Sequence, residues 1–265
     1  MSGFLPYSIE ELNLPVNKSH LDLLTDNPDS LEYTEPRLIC WCFLKVSMQE
    51  KVHDIGQMIV NSKDHYLLRF WKPLRKYSSA PFNGGVGFAS RYINRHVPLD
   101  YNHEPELEIK EFLKANRYPA KETTVTLTSC ETGKASHSLL NQDSFFVHIS
   151  VTAGKENALA IGSDGAFAAG TVNIAVVTNA TMDDSASLNL YQSIAEAKCQ
   201  AFNDSGVRDR VAGVNAPGTS TDSISIFVGN EGESFTYGGR LSKIGKLASV
   251  EVYHMVLKQI QSSCL

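Results

Sequence analysis

The sequence predicts an α+β fold: a single domain with a mixed or largely antiparallel sheet covered by helices. Three observations predict it. Short apolar or β-branched runs recur, at Leu38–Leu44, Gln57–Val60, Tyr66–Trp71, Thr123–Thr128, Phe145–Val151, Ala168–Val177 and Ser223–Val228. Three other segments space their apolar residues at the helical period, at Pro105–Ala115, Asp184–Phe202 and Ser242–Gln259. Many neighbouring strands are joined by connections too short for a parallel crossover, which argues against a doubly wound sheet.

Taken in order, residues 1–36 are rich in Asp, Glu, Asn and Pro, and Ser8–Glu11 has the form of a capping box. They read as an N-terminal surface extension, with the main domain over residues 37–265. Leu38–Leu44 is a candidate buried strand, and the turn-rich Asn61–Asp64 separates the next two. Lys72–Lys76 is basic but short, and reads as a solvated connection. Tyr77–Gly87 then places three glycines within four positions, Gly84, Gly85 and Gly87, so the backbone there can turn sharply or approach a ligand closely. Asn94, Arg95 and His96 follow as adjacent amide, guanidinium and imidazole.

In Pro105–Ala115 the apolar anchors are Leu107, Phe112 and Leu113. Asp183 and Asp184 suit the N-terminus of the long helix, because carboxylates accept from its free amides and oppose its dipole. On that helix Glu196 and Lys198 are two residues apart, so they do not face each other. Pro217-Gly218 opens a turn that packs Thr219, Ser220, Thr221 and Asp222 ahead of the strand Ser223–Val228. A short return strand, Ser234–Tyr237, and the last helix complete the chain.

A chain of 265 residues can bury a sizeable core, and its 42% apolar and 20% charged residues are ordinary for a globular protein. A net charge of −5 with no basic stripe argues against nucleic-acid binding. No apolar run is long enough to cross a bilayer, and the first residues lack the basic and apolar regions of a signal peptide, so a cytoplasmic location is expected. The five cysteines are scattered; Cys40 and Cys42 form a C-x-C with no second pair at zinc spacing, which suits free thiols in a reducing compartment. No metal site is expected.

The motifs as an ordered set resemble the adenosylcobinamide amidohydrolase family of cobinamide salvage. The matching segments are Ser78–Gly85, Asn94–Val97, Thr152–Ala158, Gly170–Asn173, Glu196–Lys198, Gly218–Asp222 and Tyr237–Gly239, over about residues 77–260. Residues 1–36 lie outside the resemblance. It implies hydrolysis of the amide that joins aminopropanol to the corrin side chain of adenosylcobinamide, giving adenosylcobyric acid and 1-amino-2-propanol. It implies a corrinoid small-molecule substrate that carries its own cobalt, no further cofactor, and no nucleic-acid or membrane partner; a homo-oligomer is compatible with it. Near the end the family often shows a His-Thr-Lys-Leu-Gly-Glu run, whereas this chain has Leu241, Ser242 and Lys246 at the His, Thr and Glu places. That departure motivates a second reading, a corrinoid-binding protein without hydrolysis; a third is an amidohydrolase for another amide.

Amide hydrolysis needs a nucleophile, donors for the oxyanion and a proton for the departing amine. The chain contains neither an H-E-x-x-H cluster nor a G-x-S-x-G elbow. Two routes remain. Thr219 or Thr221 attacks the carbonyl, assisted by Asp222, Lys198 or His96; or Asp222 or Glu196 activates a water. Asn157, Asn173 and the Gly84 and Gly85 amides are candidate oxyanion or substrate-amide donors. The matched motifs add Ser79, Asn83, Asn94, Arg95, Thr152 and Lys243 to the substrate-binding set.

Overall fold

The computed structural model describes residues 49–52, 55–61, 63–101, 104–165 and 170–262. The capping box at Ser8, the strand Leu38–Leu44, the Cys40/Cys42 pair and the extension 1–36 lie outside the described residues.

The fold is α+β, built on one mixed sheet of nine strands. Its strands are β1 (Gln49–Val52), β2 (Gly56–Asn61), β3 (His65–Ser78), β4 (Gly85–His96), β5 (Thr123–Thr128), β6 (Ser136–Gln142), β7 (Phe145–Ala153), β8 (Val172–Thr178) and, after a two-residue β9 (Thr181–Met182), β10 (Ser223–Val228). The path across the sheet is β1-β2-β3-β10-β8-β7-β6, and β4 pairs the other edge of β3 and carries β5. Most pairs are antiparallel; β10 with β8 and β4 with β5 are parallel. β9 pairs separately with β11 (Ser234–Phe235).

β3 is the longest strand and reaches well past the predicted Trp71, through Lys72–Lys76 to Ser78. Its register against β4 shifts between Arg69 and Leu74. That irregularity breaks the two-residue alternation in the sequence, which is why the segment reads as a connection. One consequence is that Lys76 is a buried strand residue. Its ammonium donates to the Asn83 carbonyl and, at 3.3 Å, to Thr124 Oγ1. Burial lowers its pKa.

Strands β7, β8 and β10 are buried along their whole lengths, their polar residues such as His148, Asn173 and Ser225 as well as their apolar ones. Helices α2 (Asp184–Asp204) and α3 (Lys243–Ser262) pack on each other, with α2 also against β10 and α3 against β7. Asp183 caps α2 by accepting from Ala186 N at 2.7 Å. Ser242 does the same for α3, accepting from Gly245 N at 3.0 Å. Gln259 fixes α3 to the end of β7: its carbonyl accepts from Ala153 N and its amide donates to Val151 O. The predicted helix α1 (Pro105–Ala115) buries Ile109, Phe112 and Leu113 against Leu67, Phe82, Ile93 and Val125 of the β3–β5 wing. A second cluster, including Tyr66, Leu68, Phe70, Tyr92, Ala175, Val177 and Phe227, joins β3 and β4 to β8 and β10.

Candidate functional site

The site lies where β7 ends and β8 and β10 begin. Parallel pairing puts Ser223 of β10 opposite Asn173 of β8, and antiparallel pairing puts Thr152 of β7 opposite the same Asn173. The turn Gly218–Asp222 and the connection after Ala153 therefore meet at one end of the sheet. A bridge between Ala158 and Thr219 and a bond from Ser220 N to Asn157 O at 3.2 Å hold them together.

Asp222 is the hub. Its carboxylate accepts from the Thr219 hydroxyl, from Thr219 N at 3.1 and 3.2 Å, and from Val172 N at 3.2 Å. On Oδ2 it accepts from Lys198 Nζ at 2.5 Å. Both side chains of this ion pair are largely buried, at 11% and 13% exposure, so the pair is shielded from solvent screening. Lys198 reaches it from the inward face of α2, and its ammonium also lies 5.9 Å from the centre of the Phe202 ring. Gly218 lies beneath the pair: a Cβ there would displace the Asp222 carboxylate or the Lys198 ammonium from their contact.

Thr221 points elsewhere; its hydroxyl donates to Gly170 O at 3.0 Å, while Thr171 donates to the Thr221 carbonyl at 2.8 Å. The Asn157 amide donates to Ser220 Oγ and, at 3.3 Å, to Gly170 O. Below this layer is a buried amide network. Asn94 donates to Thr152 Oγ1 at 2.9 Å and its carbonyl accepts from Thr126 and from Asn173, at 3.1 and 2.8 Å. Asn173 also donates to Leu127 O at 2.8 Å. Asn94, Thr152 and Asn173 thus satisfy one another and tie β4 and β5 to β7 and β8. Ser79 adjoins the site by pairing with Ile224, exchanging two bonds of 3.0 Å.

The other predicted residues have their described partners outside the Thr219–Asp222–Lys198 set. Glu196, two residues from Lys198, turns outward and pairs with Arg240 at 2.7 Å. Arg95 lies between Glu108, 3.6 Å away, and the ring of Phe112, so it fastens α1 to β4. Lys243 is half exposed and pairs with Asp143 and Glu233 at 3.3 and 3.4 Å. Asn83 has a positive φ of 48° and donates to Thr123 O at 2.9 Å, which anchors the turn carrying Gly84 and Gly85 to β5. His96 bonds the Cys130 carbonyl through Nδ1 at 3.1 Å.

Two side chains near the hub escape the sequence reading. Glu156 sits one residue before Asn157; its carboxylate accepts from Lys155 N at 2.9 Å and crowds Gly154. The Cys130 sulfur lies by the same glycine, and burial, with Glu156 adding to it, pushes that thiol's pKa up. Glu156 was visible within the Thr152–Ala158 segment, but only the fold of the loop turns its carboxylate toward Gly154. Among the described residues, no three His, Cys, Asp or Glu side chains converge as metal ligands. No helix among them is long and apolar enough to cross a membrane.

The model of the adenosylcobinamide amidohydrolase family matches residues 47–264. The chain belongs to that family. An adenosylcobinamide amidohydrolase of Halobacterium salinarum is 27% identical over 207 residues, covering 74% of this chain and 84% of that protein. An uncharacterized protein of Methanocaldococcus jannaschii is 31% identical over 140 residues, covering 44% of this chain and 54% of its own length. This chain's match thus spans about half of that second relative. A crystal structure of a Pyrococcus horikoshii protein aligns over 82% of this chain and 88% of its own, with 8% identity and a TM-score of 0.43. Within this amidohydrolase family chain, Leu241 is almost fully exposed, and Ser242 is occupied as the cap of α3.

Proposed function

We propose that this protein hydrolyses the aminopropanol amide of adenosylcobinamide, releasing adenosylcobyric acid and 1-amino-2-propanol. One observation carries the reading: the Thr219 hydroxyl donates to Asp222, whose other oxygen is held by Lys198. A hydroxyl bonded to a carboxylate is an arrangement that can make a weak nucleophile attack an amide. In this scheme Thr219 Oγ1 adds to the amide carbonyl and its proton moves to Asp222. The C–N bond then breaks as Asp222 passes that proton to the leaving nitrogen, which departs as the amine. Water cleaves the resulting Thr219 ester, restoring the hydroxyl and releasing the acid. Lys198 keeps Asp222 in place, and its positive charge opposes the negative charge that develops on the carbonyl oxygen. The scheme uses no cofactor of the protein's own, since cobalt arrives with the substrate, and it suits a cytoplasmic enzyme.

The Thr219–Asp222 contact favours the hydroxyl route over direct activation of water by Glu196, which faces Arg240. Incubating the purified protein with adenosylcobinamide and separating the corrinoids by chromatography with mass detection tests the proposal. Adenosylcobyric acid is the expected product. Tight corrinoid binding without product would instead support the binding-protein reading that Leu241 and Lys246 raise.

A further inference from the structure

Two loops border the turn that carries Thr219, and both present aliphatic side chains to solvent. Ile161 is 92% exposed, Val211 68% and Val214 54%. Exposed aliphatic residues on loops contribute nothing to the core, and a loop that carries them is ordinarily free to vary. Here both loops are tightly built. Asp209, itself buried, accepts from Ala160 N at 2.9 Å in one loop and from Val211 N and Ala212 N, at 2.7 and 3.0 Å, in the other. These backbone donors hold its carboxyl far below the usual carboxylate range. Within the second loop Asp209 N donates to Val214 O and Arg208 bridges to Asn215. Gly162 and Gly213 take φ values of 81° and 68°, so each chain reverses right beside its exposed residue.

The loops are also joined to the site. Leu159 N donates to Gly218 O at 3.0 Å, and Ala158 bridges to Thr219. The second loop runs through Ala216, which bonds Val207, directly into Pro217 and Gly218. Arg210 is exposed on the same tip and has no hydrogen-bond or ion-pair partner among the described residues. A rigid apolar edge with a free guanidinium, continuous with the reacting turn, is suited to a large ligand with an apolar face and carbonyl acceptors at its rim.

We infer that Ile161, Val211 and Val214 form a lip that takes the macrocycle of the substrate, with Arg210 donating to a carbonyl at the ring's edge. Asp209 is the positioning residue that fixes the lip relative to Thr219. This inference rests on the proposed corrinoid substrate, and it adds where that substrate lies.

The test is equilibrium dialysis of cobinamide against the full-length protein, alongside Ile161→Asp, Val211→Asp and their double variant. Leu139→Asp, on the exposed edge of β6, is the control. Circular dichroism melts report whether each variant folds. The double variant is expected to weaken cobinamide binding at least about tenfold, as the loss of two buried aliphatic contacts implies, while Leu139→Asp leaves it unchanged. Unchanged binding in the folded double variant overturns the lip, as does wild-type protein that binds no cobinamide. Sedimentation of the same samples reads the rival occupant: if the lip variants split a dimer and leave cobinamide binding intact, the surface is a subunit contact and the inference fails. Hydrolysis is measured separately on wild-type protein. Binding without turnover sinks the proposed reaction and still tests the lip.

Discussion

Asp209 and Asp222 each close a turn by accepting backbone N–H groups, and the two carboxylates differ in what else they meet. Asp209 accepts from three backbone amides of two loops. Asp222 accepts from two backbone amides and adds the hydroxyl of Thr219 and the ammonium of Lys198. In sequence both are a carboxylate in a polar turn. The difference comes from the distant partner: α2 delivers Lys198 across 24 positions onto Asp222, and no cation reaches Asp209 among its described contacts. A carboxylate that meets backbone amides and no cation can fix a loop. One shared between a hydroxyl and a cation can also move a proton.

Exchanging each acid for its amide breaks the comparison most sharply. Asp222→Asn is expected to slow hydrolysis of adenosylcobinamide by about 10²–10⁴-fold, the usual range for a positioned acid–base group. Asp209→Asn should leave the turnover number within several-fold and lower the melting temperature. Steady-state kinetics with thermal melts of both variants decide it; equal losses of turnover would erase the distinction.

The pH dependence of stability sharpens the contrast. The folded-state pKa of Asp209 is depressed by its backbone donors. Between that value and the unfolded value near 3.9 the unfolded chain binds more protons, so stability rises with pH across the window. The contribution is complete above about pH 5 and is lost as pH falls through the unfolded and then the folded value. The gap in melting temperature between wild type and Asp209→Asn should therefore narrow as pH drops from about 5 to about 2. A gap that stays constant would show that the carboxylate charge is not what holds the loops.

The smallest expected effect concerns Glu196. Its pair with Arg240 is largely exposed, and such pairs contribute about 0–1 kcal/mol. Glu196→Gln should change turnover and melting temperature little, in the same assays. A loss as large as that of Asp222→Asn would return Glu196 to the site.

Much of this was legible in the sequence, for identifiable reasons. The runs Phe145–Val151 and Ser223–Val228 are mostly apolar, with few polar residues among them, and they are buried strands. Three helices were readable from their spacing, and Asp183 from its capping chemistry. β6 was not, because its Ser, His and Asn residues are half exposed at a sheet edge and give no apolar alternation. Lys76 was hidden by the irregularity in β3. In the site, the order of motifs pointed to Thr219, Asp222 and Lys198. It did not separate Lys198 from Glu196, since helix position alone does not say which of two charges two residues apart faces inward. Nor did it reveal that the Asn94 and Asn173 amides bond to each other, which depends on strands more than 70 residues apart coming together.

The central claim is that Thr219, engaged by Asp222, attacks the amide. Single-turnover hydrolysis of adenosylcobinamide by wild type, Thr219→Ala and Thr221→Ala tests it most directly. Thr219→Ala is expected to be slower by about 10²-fold or more, and Thr221→Ala, which loses only the bond to Gly170 O, to stay within several-fold of wild type. A Thr219→Ala protein that releases adenosylcobyric acid at the wild-type rate would contradict it.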